Sequence, residues 1–506
     1  MLLTLPVVAP LLAAGLLILL GRRSAADSPA LVRWVGWAVS AGVLVVACVL
    51  LATTLDGARP VVRLGGWPAG IAITLVADVF SALMLVVTAL LVLASLAFAA
   101  ATDEDERPFF VPLALILSSG VFGALLTADL FNLFVFVEVM LLPSYVLLSA
   151  AGGRRPLVAG RLYVTVNLLA STVFLAGVGL LYGTAGTVNL GELAEVAASS
   201  TPAALAAAVI MLAMAVKAAV VPVHSWLPST YSASGPAVTV LFSGLLTKVG
   251  VYALIRIYAV VFDGDRQYLW LIMAAALLTM VVGVLGAVGE KAMRPVLTFH
   301  MVSQIGYMLL GLALFSSAGL AAAVFFLVQY VLVKAALLMV AGAVEVRYGT
   351  GELARLGGLM QREPALAVAF AVSALALVGI PPLSGFVAKL GIATAAVAED
   401  QYLAAAVVVG VSLLTLTSML KVWNGVFWQA APADADPAGG AEDDAADRSA
   451  VGVRTRSRAA LTAPPLLLAG LAVVLGLWAE PLLAAADAAA AGLVDVGAYV
   501  RAVMGR

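Results

Sequence analysis

The chain has 506 residues, 64% of them hydrophobic and 11% charged, and 27 Lys+Arg against 28 Asp+Glu leave a formal net charge of −1. That balance excludes a soluble globular domain and a basic nucleic-acid-binding surface, and it predicts an all-α polytopic membrane protein. One cysteine, Cys48, and two histidines argue against an internal disulfide and against a His/Cys metal or haem site; there is no G-x-x-x-x-G-K-[ST] phosphate loop, and no cofactor is expected.

The first apolar run, 2–20, is followed rather than preceded by basic residues, Arg22 and Arg23. It reads as a first span with its N-terminus outside, not as a signal peptide. Further runs at 31–54, 73–101, 109–127, 130–150, 162–183, 203–221, 237–262, 268–289, 295–315, 318–345, 365–401, 402–428 and 460–484 bring the expected total to 14 transmembrane helices. Loop arginines and lysines fall 16 on the predicted inner side and six outside (Arg59, Arg63, Arg256, Arg266, Arg501 and Arg506), the bias expected of a correct topology, with both termini outside. The stretch 430–450, rich in Ala, Asp, Pro and Gly, reads as a disordered cytoplasmic linker.

Five lysines remain, all inside apolar runs: Lys217, Lys248, Lys334, Lys389 and Lys421. Ionisable residues at that depth are costly and usually functional, and an ammonium, unlike a guanidinium, is able to release its proton when desolvated. Snorkelling accounts for Lys421, near the inner end of its span. One acid, Glu138, lies in the middle of the fifth span; Asp78 and Glu345 sit near helix ends. Two spans are punctuated by proline, the seventh at Pro222 and Pro228 and the twelfth at Pro381 and Pro382, and each carries one of the lysines. Broken helices at depth survive only where they line a protein-buried or watery cavity. Their spacing of five spans predicts two inverted five-helix repeats, spans 4–8 and 9–13, each with a broken helix. The expected organisation is 1–107 for spans 1–3, 108–262 for the first half, 263–429 for the second, 430–458 for the acidic linker and 459–506 for the last span and tail. Ser243, Thr247, His300, Ser303, Gln304, Tyr307, Gln329 and Tyr330 supply polar groups between the lysines.

The segments VPVHSWLP, SGLLTKVGVYALIR, LTFHMVSQIGYM, VKAALLMVAGAVE and GIPPLSGFVAKL resemble the antiporter-like membrane subunits of respiratory complex I and of the multisubunit Mrp cation/proton antiporters. SMLKVWNGVFWQ and the ending VGAYVRAVMG are more similar to the D subunits of Mrp antiporters. The resemblance implies a proton-translocating subunit of a Na+/H+ antiporter in a bacterial cell membrane, working with other subunits and membrane lipid, and not itself an enzyme. The alternative is a proton-pumping subunit of complex I or a related hydrogenase. It further implies that Glu138 partners Lys217, that Lys248 and Lys334 are central relays and that Lys389 is the terminal one. His224 and His300 take proton-uptake positions at or near inner helix ends. Relatives often carry histidine just before the VK of the eleventh span; Gln329 and Tyr330 stand here instead, so water or Tyr330 must bridge the path there.

Overall fold

A computed structural model describes residues 2–21, 29–150, 152–430 and 458–505. The acidic linker and Arg22–Arg23 of the sequence reading lie outside the described residues. The chain runs through α1 (Leu5–Gly21), α2 (Pro29–Leu55), a hairpin of β1 (Val61–Arg63) and β2 (Thr74–Val76), α3 (Val79–Ala101), α4 (Phe110–Leu126), α5 (Leu130–Ser149) and α6 (Arg154–Ala185). Then come α7 (Val196–Ser199), α8 (Thr201–Lys217), α9 (Trp226–Tyr231), α10 (Pro236–Val261), α11 (Leu269–Gly289), α12 (Met293–Leu314) and α13 (Ser317–Tyr348). The last part holds α14 (Leu359–Arg362), α15 (Pro364–Val378), α16 (Ser384–Ala398), α17 (Tyr402–Trp423), α18 (Arg458–Leu477), α19 (Glu480–Val494) and α20 (Gly497–Met504).

Among the described residues 11 helices are long and apolar enough to cross a membrane, or 12 if the bent pair α19 and α20 counts as one span. The protein is therefore a mostly helical, multi-pass membrane protein. Four further apolar helices, α4, α8, α15 and α16, are shorter than a full span. Three of them border breaks, which is why length alone does not return the expected number. The third span also starts later than its apolar run. Residues 74–76 pair antiparallel with 61–63, Thr74 opposite Arg63, and the helix opens at Val79 because Asp78 and Ser81 form a reciprocal capping box.

Along their most apolar 18 residues α10 and α13 are wholly buried and α12 almost so, while α1, α2, α11, α17 and α18 present much of their surface outward. Glycines let the buried helices approach. A Cβ on Gly283 of α11 would lie 2.3 Å from the Ser303 backbone of α12, and one on Gly306 would meet the Ala276 carbonyl at 2.6 Å.

Two faces of the bundle are marked by their contacts. On one, arginines pair with acids: Arg347 with Glu363 at 2.6 Å, Arg458 with Glu363 at 3.5 Å, and Arg294 with Glu345. On the other, β-bridges join Leu75 to Thr127 and Asp129 to Asn189, and Arg256 pairs with Asp78. Below, these are the basic face and the far face.

Both predicted breaks are present. The helix α8 ends at Lys217, and an irregular stretch precedes α9 at Trp226; Ala219 within it has φ +59. The helix α15 ends with Gly379 as a left-handed cap, φ +93, and α16 starts at Ser384. There the chain doubles back so tightly that a Cβ on Gly385 would lie 1.7 Å from the Ala376 carbonyl oxygen. A third interruption was not foreseen: the run 460–484 ends as a helix at Leu477, and α19 begins at Glu480, just before Pro481.

Candidate functional site

The first charged group met from α5 is Glu138, which is only partly buried. Its carboxylate Oε1 accepts from the Ser171 hydroxyl on α6, and that oxygen in turn accepts from Lys217 Nζ at 2.9 Å. Lys217 also donates to the Asn167 carbonyl at 3.5 Å. The expected Glu138–Lys217 partnership is thus joined through a hydroxyl and not by direct contact. Ser171 and Asn167 escaped the sequence reading. Their signal was a polar pair four residues apart, on one face of an otherwise apolar helix; serine in such helices usually bonds to its own backbone, so the signal is weak.

Lys217 is the last residue of α8. A helix C-terminus has unbonded carbonyls and a partial negative charge, so the break puts an ammonium where such a charge is favoured. The second break repeats the device with a different residue. Lys389 sits on α16 and reaches across the break to donate to Val378, the last carbonyl of α15, at 3.0 Å.

Between the two lies a row of buried groups on α10, α13 and α12. Lys248 Nζ donates to the Ser243 carbonyl at 2.9 Å and to Thr247 Oγ1 at 3.2 Å, and stands 4.5 Å from the centroid of the Tyr330 ring. Lys334 follows one turn along α13, fully buried, with no hydrogen-bond partner for Nζ among the described residues. Gln304 on α12 is fully buried with both amide atoms unpartnered, as are Gln329 Oε1 and the Tyr330 hydroxyl. Lys389 Nζ stands 4.7 Å over the Tyr307 ring. Tyr307 itself donates to the Val408 carbonyl at 3.0 Å, with Ser412 Oγ also at 3.0 Å. Lys248 and Lys389 therefore each stand against the face of a tyrosine, a cation–π arrangement.

Three further residues are placed by packing. His300 is not near the mouth of its helix: it lies two turns inside α12, fully buried, with Nε2 2.6 Å from Ser418 Oγ. Lys421, partly exposed in the last turn of α17, stands apart from the row. It donates to the carbonyls of Val288 at 2.7 Å and Glu290 at 2.6 Å, at the C-terminal end of α11, and so caps that helix. Arg256, assigned to the outer side, is buried within α10 and pairs with Asp78 at 2.6 Å, under the Tyr499 ring at 4.7 Å. His224 is half-buried in the first break.

On the basic face Glu104, in the α3–α4 connection, is buried and accepts from the Ala237 N–H at 2.8 Å, serving the N-terminus of α10 from outside that helix. Burial holds its carboxyl above the usual range, opposed by that N–H and by Arg107 and Arg294. No group of three or more His, Cys, Asp or Glu side chains among the described residues could hold a metal ion.

Residues 127–415 match the family described as NADH:quinone oxidoreductase/Mrp antiporter, TM. The chain is 35% identical over 506 residues to the D subunit of the Na(+)/H(+) antiporter of Alkalihalophilus pseudofirmus, covering 99% of this chain and 98% of that one. A chain in the structure of the Mrp complex from Dietzia sp. DQ12-45-1b is 47% identical, with a TM-score of 0.93 over 99% of both chains. A chain of respiratory complex I from Thermus thermophilus is similar in fold, with a TM-score of 0.79 at 24% identity, over 98% of this chain and all of that one.

Proposed function

The chain belongs to the NADH:quinone oxidoreductase/Mrp antiporter transmembrane family, and from that premise we propose how it works as the D subunit of a multisubunit Na+/H+ antiporter. It is a cation/proton antiporter subunit, a transporter component more than an enzyme, and its partners are the other subunits of the complex. Its proposed task is to pass protons between the two breaks along the row Glu138, Lys217, Lys248, Lys334 and Lys389. One observation supports this above others: lysines stand at both breaks, and buried polar atoms lacking protein partners lie between them. Buried polar groups are normally satisfied, so these atoms mark a chain of places for water.

In the proposed sequence Glu138 holds Lys217 charged through the Ser171 hydroxyl. Loss of that contact leaves the ammonium in a poorly solvated site, and its proton passes towards Lys248. From there Lys334, Gln304 and water carry it to Lys389, with Tyr330 and Gln329 where relatives often carry histidine. His224 and His300 serve as uptake and relay groups, His300 from within the row.

We read the shorter helices as parts of broken or brief spans. On that reading 14 transmembrane helices comprise an N-terminal group, 1–107, and two inverted five-helix halves, 108–262 and 263–429, ahead of a cytoplasmic linker at 430–458 and a closing unit, 459–506. Both termini then lie outside the bacterial cell membrane. A proton-pumping role in a respiratory complex I is the second reading, supported by fold likeness alone.

The test is ΔpH-driven Na+/H+ exchange in vesicles from an antiporter-deficient host carrying all subunit genes, with and without this one. Exchange only with this gene present is expected. Full exchange in its absence would overturn the reading.

A further inference from the structure

We propose that the outward face of α18 and α19 around Glu480 docks against a transmembrane helix of a neighbouring subunit, and that this helix presents a basic side chain to Glu480. The proposal rests on the chain being one subunit of a multisubunit complex.

The depth of Glu480 follows from its neighbours at three levels. The helix α18 starts on the basic face, where Arg458 lies 3.5 Å from Glu363. At its very end it crosses the second break: a Cβ on Gly476 would meet the Pro382 carbonyl at 2.3 Å and the Ser384 nitrogen at 2.6 Å. That break divides α15 from α16, two helices of 15 residues each, so it lies halfway across the bundle. Glu480 is four residues further on, past the interruption at Trp478 and Ala479, where α19 opens. The far face comes later still, where Ala488, Ala489 and Gly492 line a small cavity with Asp78, Val79 and Phe80. Eight residues, about 12 Å, separate Glu480 from that level. Glu480 therefore lies within the apolar layer, which is about 30 Å thick.

Its surroundings are apolar. Leu477 and Trp478 are both 68% exposed, with Val474 and Leu467 on the same outward surface. Hydrocarbon would satisfy these side chains. It would not satisfy the carboxyl of Glu480, which is also exposed and forms no ion pair among the described residues. A glutamate stem is too short to carry its charge to either interface from this depth, as the longer lysine and arginine stems do. Acids in spans almost always face protein or water and pair there. Charge complementarity therefore selects a partner helix with Lys, Arg or His at this level. Trp478, two residues away, supplies a large apolar anchor of the kind that dominates interfaces.

The experiment uses the whole complex in native membranes. A photo-crosslinking amino acid at Trp478 is expected to attach to a transmembrane segment of another subunit of the same complex, with a basic residue within one turn of the attachment site. Crosslinks confined to lipid, or to a segment lacking a basic residue there, would overturn the proposal. In parallel, a tag on this chain measures recovery of the neighbouring subunits with Glu480→Gln, Glu480→Leu and Glu480→Lys. The leucine variant is more apolar and inserts at least as well as the native chain, so lost neighbours do not reflect failed insertion. Recovery is expected to fall slightly for Gln, several-fold for Leu and at least tenfold for Lys. Equal recovery with Leu and with the native chain would overturn the proposal even where crosslinks form. Neither readout depends on transport. If exchange fails while crosslinks and recovery follow expectation, the transport reading falls and the docking face stands.

Discussion

At the scale of single residues the site turns on Ser171. Its one hydroxyl receives Lys217 and serves Glu138, so neither charge needs to touch the other. Ser171→Ala removes the bridge and leaves both charges in place. Antiport is expected to fall at least tenfold in assembled complex, and Ser171→Thr, which keeps the hydroxyl, is expected to restore most of it. If Ser171→Ala transports normally in vesicles, the bridge has no part in the path. The same geometry predicts coupling: Glu138→Ala and Lys217→Ala together should be little worse than either alone, since each already disables the unit. Strictly additive losses in the vesicle assay would count against it. The lysines were legible in the sequence because an ionisable group in an apolar run is an outlier whatever its neighbours. Ser171 and Ser418 were not, because serine is ordinary in apolar helices and only packing shows what it touches. Lys421 shows the converse. It too lies in an apolar run, yet packing aims it at the end of α11.

At the scale of elements, helix ends decide where charge is placed. Lys217 and Lys389 stand at the C-terminal ends of broken helices, while Lys421 caps an unbroken one. Lys421→Met should therefore lower the melting temperature of the purified complex, in line with a capping contribution of about 0.3–1 kcal/mol, and leave the pH profile of antiport unchanged. A displaced pH profile would return Lys421 to the path. The N-terminus of α10 supplies a pH test of its own. Glu104 is held above the usual carboxylate range by burial. Its neutral form suits the fold better than its charged form, so its contribution to stability is greatest at low pH. It declines as pH rises from the ordinary carboxylate value through the raised one. Glu104→Gln cannot ionise but still accepts from Ala237, so its stability relative to the native chain should improve across that interval. Melting curves from pH 4 to 8 check this; a relative loss with rising pH would reverse the assignment. Both breaks were foreseeable from Pro222, Pro228, Pro381 and Pro382, since each proline removes an amide donor. The hairpin before α3 was hidden inside an apolar run, because Thr74, Leu75 and Val76 suit a strand as well as a span.

At the scale of the whole molecule, α10, α12 and α13 form a buried centre, and the row of polar groups runs through it. Apolar periodicity could not reveal this, because helices buried on all sides have no polar face to mark their orientation. A second buried feature guards the far face. Arg256 pairs with Asp78, and the C-terminal helix α20 covers the pair with Tyr499, so the end of the chain closes over α3 and α10. Breaking a buried ion pair by removing one partner typically costs about 3–5 kcal/mol. Asp78→Ala should therefore lower the yield of assembled complex sharply, and Asp78→Ala with Arg256→Leu should recover part of it. A different result is expected at the end of the row. Lys389 is braced by one carbonyl and one ring face, with no carboxylate within ion-pair distance among the described residues. Its loss leaves no opposite charge stranded, so Lys389→Ala should assemble normally. If protons must cross both halves to be exchanged, the same variant should abolish antiport even though Glu138, Lys217 and Lys248 are intact. Lys389→Glu restores a titratable group at the break, but puts a negative charge beside the Val378 carbonyl and the Tyr307 ring, so only partial exchange is expected. Blotting for assembly and ΔpH-driven exchange in the same vesicles separate these outcomes. Full exchange by assembled Lys389→Ala would mean that protons leave the row before the second break, and that the first half works alone.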